Sequence, residues 1–164
     1  MNIYDVIVVG GGHAGCEAAH ASARLGSKTL LITMKIDGIG QMSCNPAIGG
    51  IGKSHLAREV DALDGLMCKA ADDSSLQSRV LNSSKGAAVR ATRIQTCRDE
   101  YKKAMQKDIL NHENLTVLQS TVKSVKFSKN RAEGVVIETG DYIKSKCVVL
   151  TAGTFLDGVI HMGC

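Results

Sequence analysis

Gly10-Gly11-Gly12-His13-Ala14-Gly15 is a G-x-G-x-x-G run set between a β-branched segment and an alanine-rich one. Glycines at this spacing suit a dinucleotide pyrophosphate. Gly10 permits a tight turn, Gly12 lets phosphate approach the backbone with no Cβ in the way, and Gly15 allows a helix to pack closely on a strand. The helix that follows offers unpaired N–H groups and the positive end of its dipole. A glycine turn with no ligand is the competing reading, and the ordered context of strand, turn, helix and second strand argues against it. Ala14 completes the turn. His13 lies inside it, either in contact with the cofactor or exposed to solvent. The second strand of such a unit ordinarily ends on Asp or Glu, about 20 residues past the glycines, to bond the ribose hydroxyls. Here that position is Thr33, whose single hydroxyl cannot offer a bidentate carboxylate, so a generic NAD site fits poorly.

Other groups carry weaker signals. Cys44 stands in a loop before an Asn-Pro turn, with Lys53 opening the next predicted helix. Two readings are open for it: a thiolate nucleophile activated by a neighbouring cation or helix end, and an inert loop thiol. Residues 45–54 end like a phosphate-binding P-loop, but the first glycine of that motif falls on Ala47, and no apolar strand precedes it. A flexible glycine-rich loop is the better reading. The histidines His13, His20, His55, His112 and His161 have no metal-ligand spacing, and no metal is expected. Lys85, Arg90, Arg93, Arg98, Lys102, Lys103 and Lys107 gather against only Asp99 and Glu100. That cluster is either a polyanion-facing surface or an ordinary solvated helix face, and the scarcity of aromatic residues argues against base stacking.

The elements that position these groups follow from periodicity. Residues 4–9 predict a strand, 13–25 a helix closed by Gly26, and 28–33 a second strand, together a βαβ unit that begins a parallel sheet. Residues 34–52 form a glycine-rich loop that includes the single proline, Pro46. Residues 53–64 predict an amphipathic helix with Leu56, Val60 and Leu63 on its apolar face. After a polar stretch over 72–86, Ile94, Cys97, Tyr101 and Met105 recur at helical spacing as far as about residue 110. That places Cys97 in the core, and Cys147 is expected there too, within a strand. The period then becomes two, and strands over 116–119, 121–127 and 132–138 predict an antiparallel β-meander spanning 116–144. Residues 146–151 return to a buried-strand pattern before Ala152-Gly153. That succession looks like the strand and glycine turn with which FAD enzymes of the glutathione-reductase type close their cofactor site, so FAD is favoured over NAD.

Composition agrees with an α/β nucleotide-binding domain. Hydrophobic residues make up 44% of 164, with 17 glycines, no Trp and 3% aromatics, so packing rests on Ala, Val, Ile and Leu. The net charge of +4 is too small to name a polyanionic partner. Six cysteines without a C-x-x-C pair, and no secretory or membrane-spanning segment ahead of the first strand, point to the cytoplasm. No membrane association is expected.

Read together, the motifs resemble the GidA (MnmG) family of tRNA uridine 5-carboxymethylaminomethyl modification enzymes. The glycine turn continues through Cys16-Glu17-Ala18-Ala19 in the family manner. Gly40-Gln41-Met42-Ser43-Cys44-Asn45-Pro46-Ala47-Ile48-Gly49-Gly50-Ile51-Gly52-Lys53 is similar to its signature loop, Asn82-Ser83-Ser84-Lys85-Gly86 with Ala88-Val89-Arg90 to a second block, and Gly153-Thr154-Phe155-Leu156 to a third. Ala87 stands where the family usually has proline.

The resemblance implies an α/β, Rossmann-like FAD-binding domain of the glutathione-reductase type, its parallel sheet carrying an antiparallel meander and left incomplete. It implies FAD held by Gly10, Gly11, Gly12, His13, Ala14 and Gly15, with Val122 meeting the cofactor and Cys44 assisting catalysis; Thr33, by its place at the end of the second strand, and Gly153, by its place in the closing glycine turn, are expected at the same site. NADH would serve as reductant from a site largely outside this chain. The partners implied are tRNA, a GTPase subunit and a second copy at full length, and the chemistry is addition of a carboxymethylaminomethyl or aminomethyl group to the wobble uridine. Because family members are far longer, this chain is expected to be an N-terminal fragment, inactive alone. A non-catalytic FAD-binding or assembly module and another flavin oxidoreductase are the competing functions.

Overall fold

The first two strands are apolar on both faces because both faces are covered. In the computed structural model, which describes residues 3–42, 45–156, 158–159 and 161–163, the chain opens with β1 (Tyr4–Val9), helix α1 (His13–Arg24) and β2 (Thr29–Thr33), with β1 and β2 parallel. Gly26, at φ +86°, terminates α1 in the left-handed conformation that glycine tolerates best. There follow β3 (Ala47–Gly49), α2 (Lys53–Ala62), α3 (Leu66–Asp73), β4 (Ser75–Leu81), β5 (Ala91–Thr96) and α4 (Arg98–Asn111). Four strands end the chain: β6 (Leu115–Gln119), β7 (Val122–Ser128), β8 (Arg131–Ile137) and β9 (Tyr142–Leu150).

The main sheet has the order β6-β2-β1-β9-β8-β7, and a second sheet has the order β3-β5-β4. Strand β9 serves both halves of the main sheet: Tyr142 to Lys144 pair antiparallel with β8, while Ser145 to Leu150 pair parallel with β1. Alternation along the central strands sorts their side chains into two layers. Val8 and Leu31 meet Cys16, Ala19 and Ala23 of α1 and Tyr101, Met105 and Ile109 of α4. Ile7, Leu30 and Ile32 point the other way, onto Val135 and Ile137 of the meander. Each buried Val, Leu, Ile or Met among them contributes on the order of 1.5–3 kcal/mol through burial. The small residues along α1 let it sit close to the sheet. The α/β architecture, a mainly parallel sheet with an antiparallel extension, is the one expected.

Several sequence expectations need correction. The strand at 115–119 is not part of the meander: it runs parallel to β2, with Leu115 opposite Thr29 and Gln119 opposite Thr33. The meander therefore comprises β7, β8 and β9, not residues 116–144. The loop over 34–52 contains a 3-10 turn at Ile36–Gly38 and the short strand β3. The polar stretch over 72–86 holds the end of α3 and all of β4, and Ile94 lies on β5, so the long helix starts only at Arg98. Cys97 is the N-cap of that helix and only partly buried, and Cys147 is exposed; neither belongs to the core. Helix α2 is also turned over relative to its pattern. Ser54 and Ala57 are buried, whereas Leu56 and Leu63 are 65% and 74% exposed.

Candidate functional site

The glycine turn sits at the carboxyl ends of β1, β2 and β9, the edge at which open α/β sheets bind ligands. Three of its four glycines are explained by packing within the chain. Gly10 adopts φ +110°, and a Cβ there would lie 2.5 Å from the Thr151 carbonyl oxygen. At Gly11 a Cβ would meet the Thr33 hydroxyl at 2.6 Å, and at Gly15 it would strike the Gly10 carbonyl oxygen at 1.8 Å. Gly12 differs: its φ is −73°, it is exposed, and a Cβ would meet nothing within 4 Å among the described residues. Neither backbone conformation nor an atom of the described residues requires glycine at that position.

Helix α1 begins with the bond from the Cys16 N–H to the Gly12 carbonyl, 2.9 Å long, and has no side-chain N-cap. The amides of Gly12, His13, Ala14 and Gly15 therefore lack intrahelical acceptors. Amides at a helix start, beside a position with room for a ligand, suit the pyrophosphate of a dinucleotide.

Threonine hydroxyls hold the turn. Thr151 donates to the carbonyls of Val9 (2.8 Å) and Gly10 (3.2 Å), tying the end of β9 to the end of β1. Thr33 is buried and donates to the Lys35 carbonyl at 3.3 Å. Its hydroxyl is thus engaged within the chain and abuts Gly11, at the position where the sequence pattern calls for a ribose contact. Val122 opens β7 and is partly buried beside Ile7, Leu30 and Ile32; two residues earlier, the Ser120 N–H reaches the Thr33 carbonyl at 2.9 Å. Gly153, at φ +58° and exposed, follows Thr151 by two residues in the turn after β9. The fold therefore brings Gly10 to Gly15, Thr33 and Thr151 into direct contact, with Val122 and Gly153 attached through their immediate neighbours.

His13 turns inward. Its ring lies 5.7 Å from that of Tyr101, and neither His13 Nε2 nor the fully buried Tyr101 hydroxyl has a hydrogen-bond partner among the described residues. Burial lowers the His13 pKa, helped by the positive charge of Lys53 and opposed by Glu17. Burial also pushes the Cys16 thiol up to about 12, so that cysteine is a packing group whose Sγ contacts the Gly11 carbonyl at 3.5 Å.

The start of the glycine-rich loop over 34–52 is anchored to this turn, to α4 and to β6 by residues that no sequence pattern announced. The Gly40 N–H donates to the Gly11 carbonyl at 3.4 Å, and a Cβ on Gly40 would collide with Met105. Gln106 Nε2 reaches the carbonyls of Ile36, Asp37 and Ile39 at 3.3–3.4 Å, Lys102 pairs with Asp37 at 2.6 Å, and Gln119 Oε1 accepts from the Ile36 N–H at 3.1 Å. On α1, the Glu17 carboxylate accepts from the amides of Leu66 and Met67 at 3.0 and 2.7 Å and so caps α3. These partners lie tens of residues apart in the chain, beyond the reach of local spacing. Cys44, the proposed catalytic thiol, lies outside the described residues.

The P-loop-like run is built into the second sheet and the start of α2. Gly49 pairs against β5, where a Cβ would lie 2.0 Å from the Thr92 carbonyl oxygen, and the Ser54 hydroxyl donates to the Gly50 carbonyl at 2.9 Å. The basic cluster of the sequence divides as well. Lys102 is paired with Asp37 and Lys103 with Glu100, while Arg93 lies on the second sheet. An open cleft of about 510 Å³ farther along α1, between His20 and His112, shares no residue with the glycine turn. Among the described residues no group of three or more His, Cys, Asp or Glu could hold a metal ion, and no helix is long and apolar enough to cross a membrane.

Comparison with known proteins agrees with this geometry. GidA of Aquifex aeolicus, in its form I crystal, is 48% identical over 99% of this chain with a TM-score of 0.94; the form II crystal gives 48%, 93% and 0.90. This chain covers 27% and 25% of those two chains, about a quarter of their length. The GidA-related protein from Thermus thermophilus is similar in fold alone, at 19% identity over 94% of this chain and 55% of that one, with a TM-score of 0.65. The family described as Glucose inhibited division protein A matches residues 5–164, which takes in the glycine turn, both sheets and the turn after β9. The chain belongs to the GidA family.

Proposed function

We propose that this chain is the N-terminal part of a flavin-dependent tRNA-modifying enzyme and supplies half of its FAD site. The observation that carries the proposal is Gly12: a glycine that the fold does not need, at a helix start with unpaired amides, in a member of the GidA family. The fit to FAD is good at the diphosphate. Amides from Gly12 to Gly15 would bond the phosphate oxygens, Gly12 would leave room for them, and Gly10, Thr33 and Thr151 would keep the turn rigid. Bound FAD would supply redox chemistry, and the protein would contribute binding, orientation and electrostatics.

In this reading the complete protein works in the cytoplasm as a homodimer with a GTPase partner, uses NADH as reductant, and adds a carboxymethylaminomethyl or aminomethyl group to the wobble uridine of tRNA. Cys44 takes part as a thiol, and His13 contributes by packing under the phosphate turn. Alone, the chain is inactive. The test is to record flavin absorbance for this chain and for the protein at the full length of its relatives after free cofactor is removed. A yellow full-length protein and a colourless chain are expected. Absence of flavin from both at saturating FAD would remove the central claim, and a flavin-loaded full-length protein that binds no tRNA would point to a small-molecule oxidoreductase.

A further inference from the structure

Residues 74–98 contain Arg79, Lys85, Arg90, Arg93 and Arg98, and neither an acidic nor an aromatic residue. They build the β4–β5 hairpin, whose register sets Arg79 directly opposite Arg93 and Gln77 directly opposite Gln95. Directly opposed residues of an antiparallel pair share a face, with Cβ atoms about 5 Å apart, and like charges in that relation destabilise the sheet. Both arginines and both glutamines are exposed, and no described side chain forms an ion pair with either Arg79 or Arg93. On the other flank of Arg93 the register places Gly49, which has no side chain to screen the guanidinium. The opposite face of the hairpin, with Ile94 and Thr92, turns towards Ile48, Ala57 and Arg58.

We propose that the outer face of the β4–β5 hairpin is a contact surface for the phosphate backbone of RNA, with Arg79 and Arg93 on neighbouring phosphates and Gln77 and Gln95 on adjoining sugar or phosphate oxygens. This rests on the tRNA reading given above. A phosphodiester strand relieves the repulsion between two guanidiniums that have no carboxylate, and each guanidinium matches phosphate in a bidentate fashion. The absence of aromatic residues fits backbone contact rather than base stacking, so the surface adds affinity with little sequence preference. The glutamine-flanked face suits an extended strand.

The test uses the full-length protein and unmodified tRNA in fluorescence anisotropy across a series of KCl concentrations. The double variant Arg79→Gln/Arg93→Gln is expected to weaken binding at least ~10-fold at physiological salt and to reduce the slope of log K against log[salt] by about 2, one for each phosphate that is no longer neutralised. Arg79→Lys/Arg93→Lys should retain most of the slope, and circular dichroism should match the parent for both. Parent-like affinity and slope in the double glutamine variant would overturn the inference while leaving the tRNA reading intact. Loss of thermal stability with tRNA affinity unchanged would also overturn it, by showing that an acidic segment of the protein covers this face. A flavin-loaded parent without tRNA affinity would remove both readings.

Discussion

Two glycine-rich turns in this chain each open a helix, and they require glycine for different reasons. In the first, before α1, Gly10, Gly11 and Gly15 are constrained by atoms they touch, and a Cβ on Gly12 would touch nothing among the described residues. In the second, before α2, Gly50 and Gly52 also face open space, but both have positive φ, +109° and +77°. Backbone conformation alone accounts for the second pair. At Gly12, where φ is ordinary, space is open and the amides of a helix start converge, a bound phosphate accounts for the glycine better than packing does. Glycine content is therefore a poor guide to a phosphate site, and free volume with unstrained φ at the start of a helix of about three turns is a better one.

Substitutions at these positions sharpen the contrast. Gly15→Ala forces a Cβ onto the Gly10 carbonyl and should cost roughly 3 kcal/mol or more, read as a large fall in the denaturation midpoint or failure to fold. Gly50→Ala meets no atom but must hold a left-handed backbone, so a loss of about 1–3 kcal/mol is expected from the same measurement. Gly12→Ala should cost under about 1 kcal/mol, from the poorer N-cap alone, yet weaken flavin retention by the full-length protein about 10-fold. If Gly12→Ala holds flavin like the parent, the distinction between the two turns loses its functional meaning.

The smallest effect concerns pH. His13 and His20 both have pKa values below the ordinary 6.5, in each case chiefly through burial, with Lys53 adding to the first and Arg24 to the second. The unfolded chain then takes up protons first as pH falls. Stability should be level between about pH 7.5 and about pH 8 and decline as pH drops through 6.5. Replacing His13 by Leu should flatten part of that decline in denaturation midpoints measured from about pH 8 to about pH 5.5, and an unchanged profile would assign the decline to other groups.

The βαβ unit was readable because its cues are local: an unbroken apolar strand, glycines at fixed offsets, an alanine-rich helix and Gly26 as its stop. The second sheet was not. Its strand β4 is exposed along nearly its whole length, so it shows no alternation between apolar and polar residues. In β5, Ile94 happens to fall at helical spacing from Cys97 and Tyr101, so its pattern runs on into that of the helix. The apolar positions of α2 misled because the helix presents Leu56 and Leu63 outward. For β6, the length and composition of the strand were plain, but its partner, β2, lies more than 80 residues earlier and no local rule selects it. Within the site, the glycines were legible and the fastening by Thr151, Gln106 and Gly40 was not, since each works through a contact distant in sequence.

The shared strand β9 also sets a schedule. Tyr4 leaves a ribosome long before Ser145, yet one edge of its strand is completed only by Ser145 and the residues after it. At ordinary synthesis rates of about 5–20 residues per second, the nascent β1 waits on the order of ten seconds or more with that edge unpaired. During this interval an apolar strand with free amides is open to misplaced pairing or to a chaperone, so the yield of folded protein should depend on translation speed between β2 and β9.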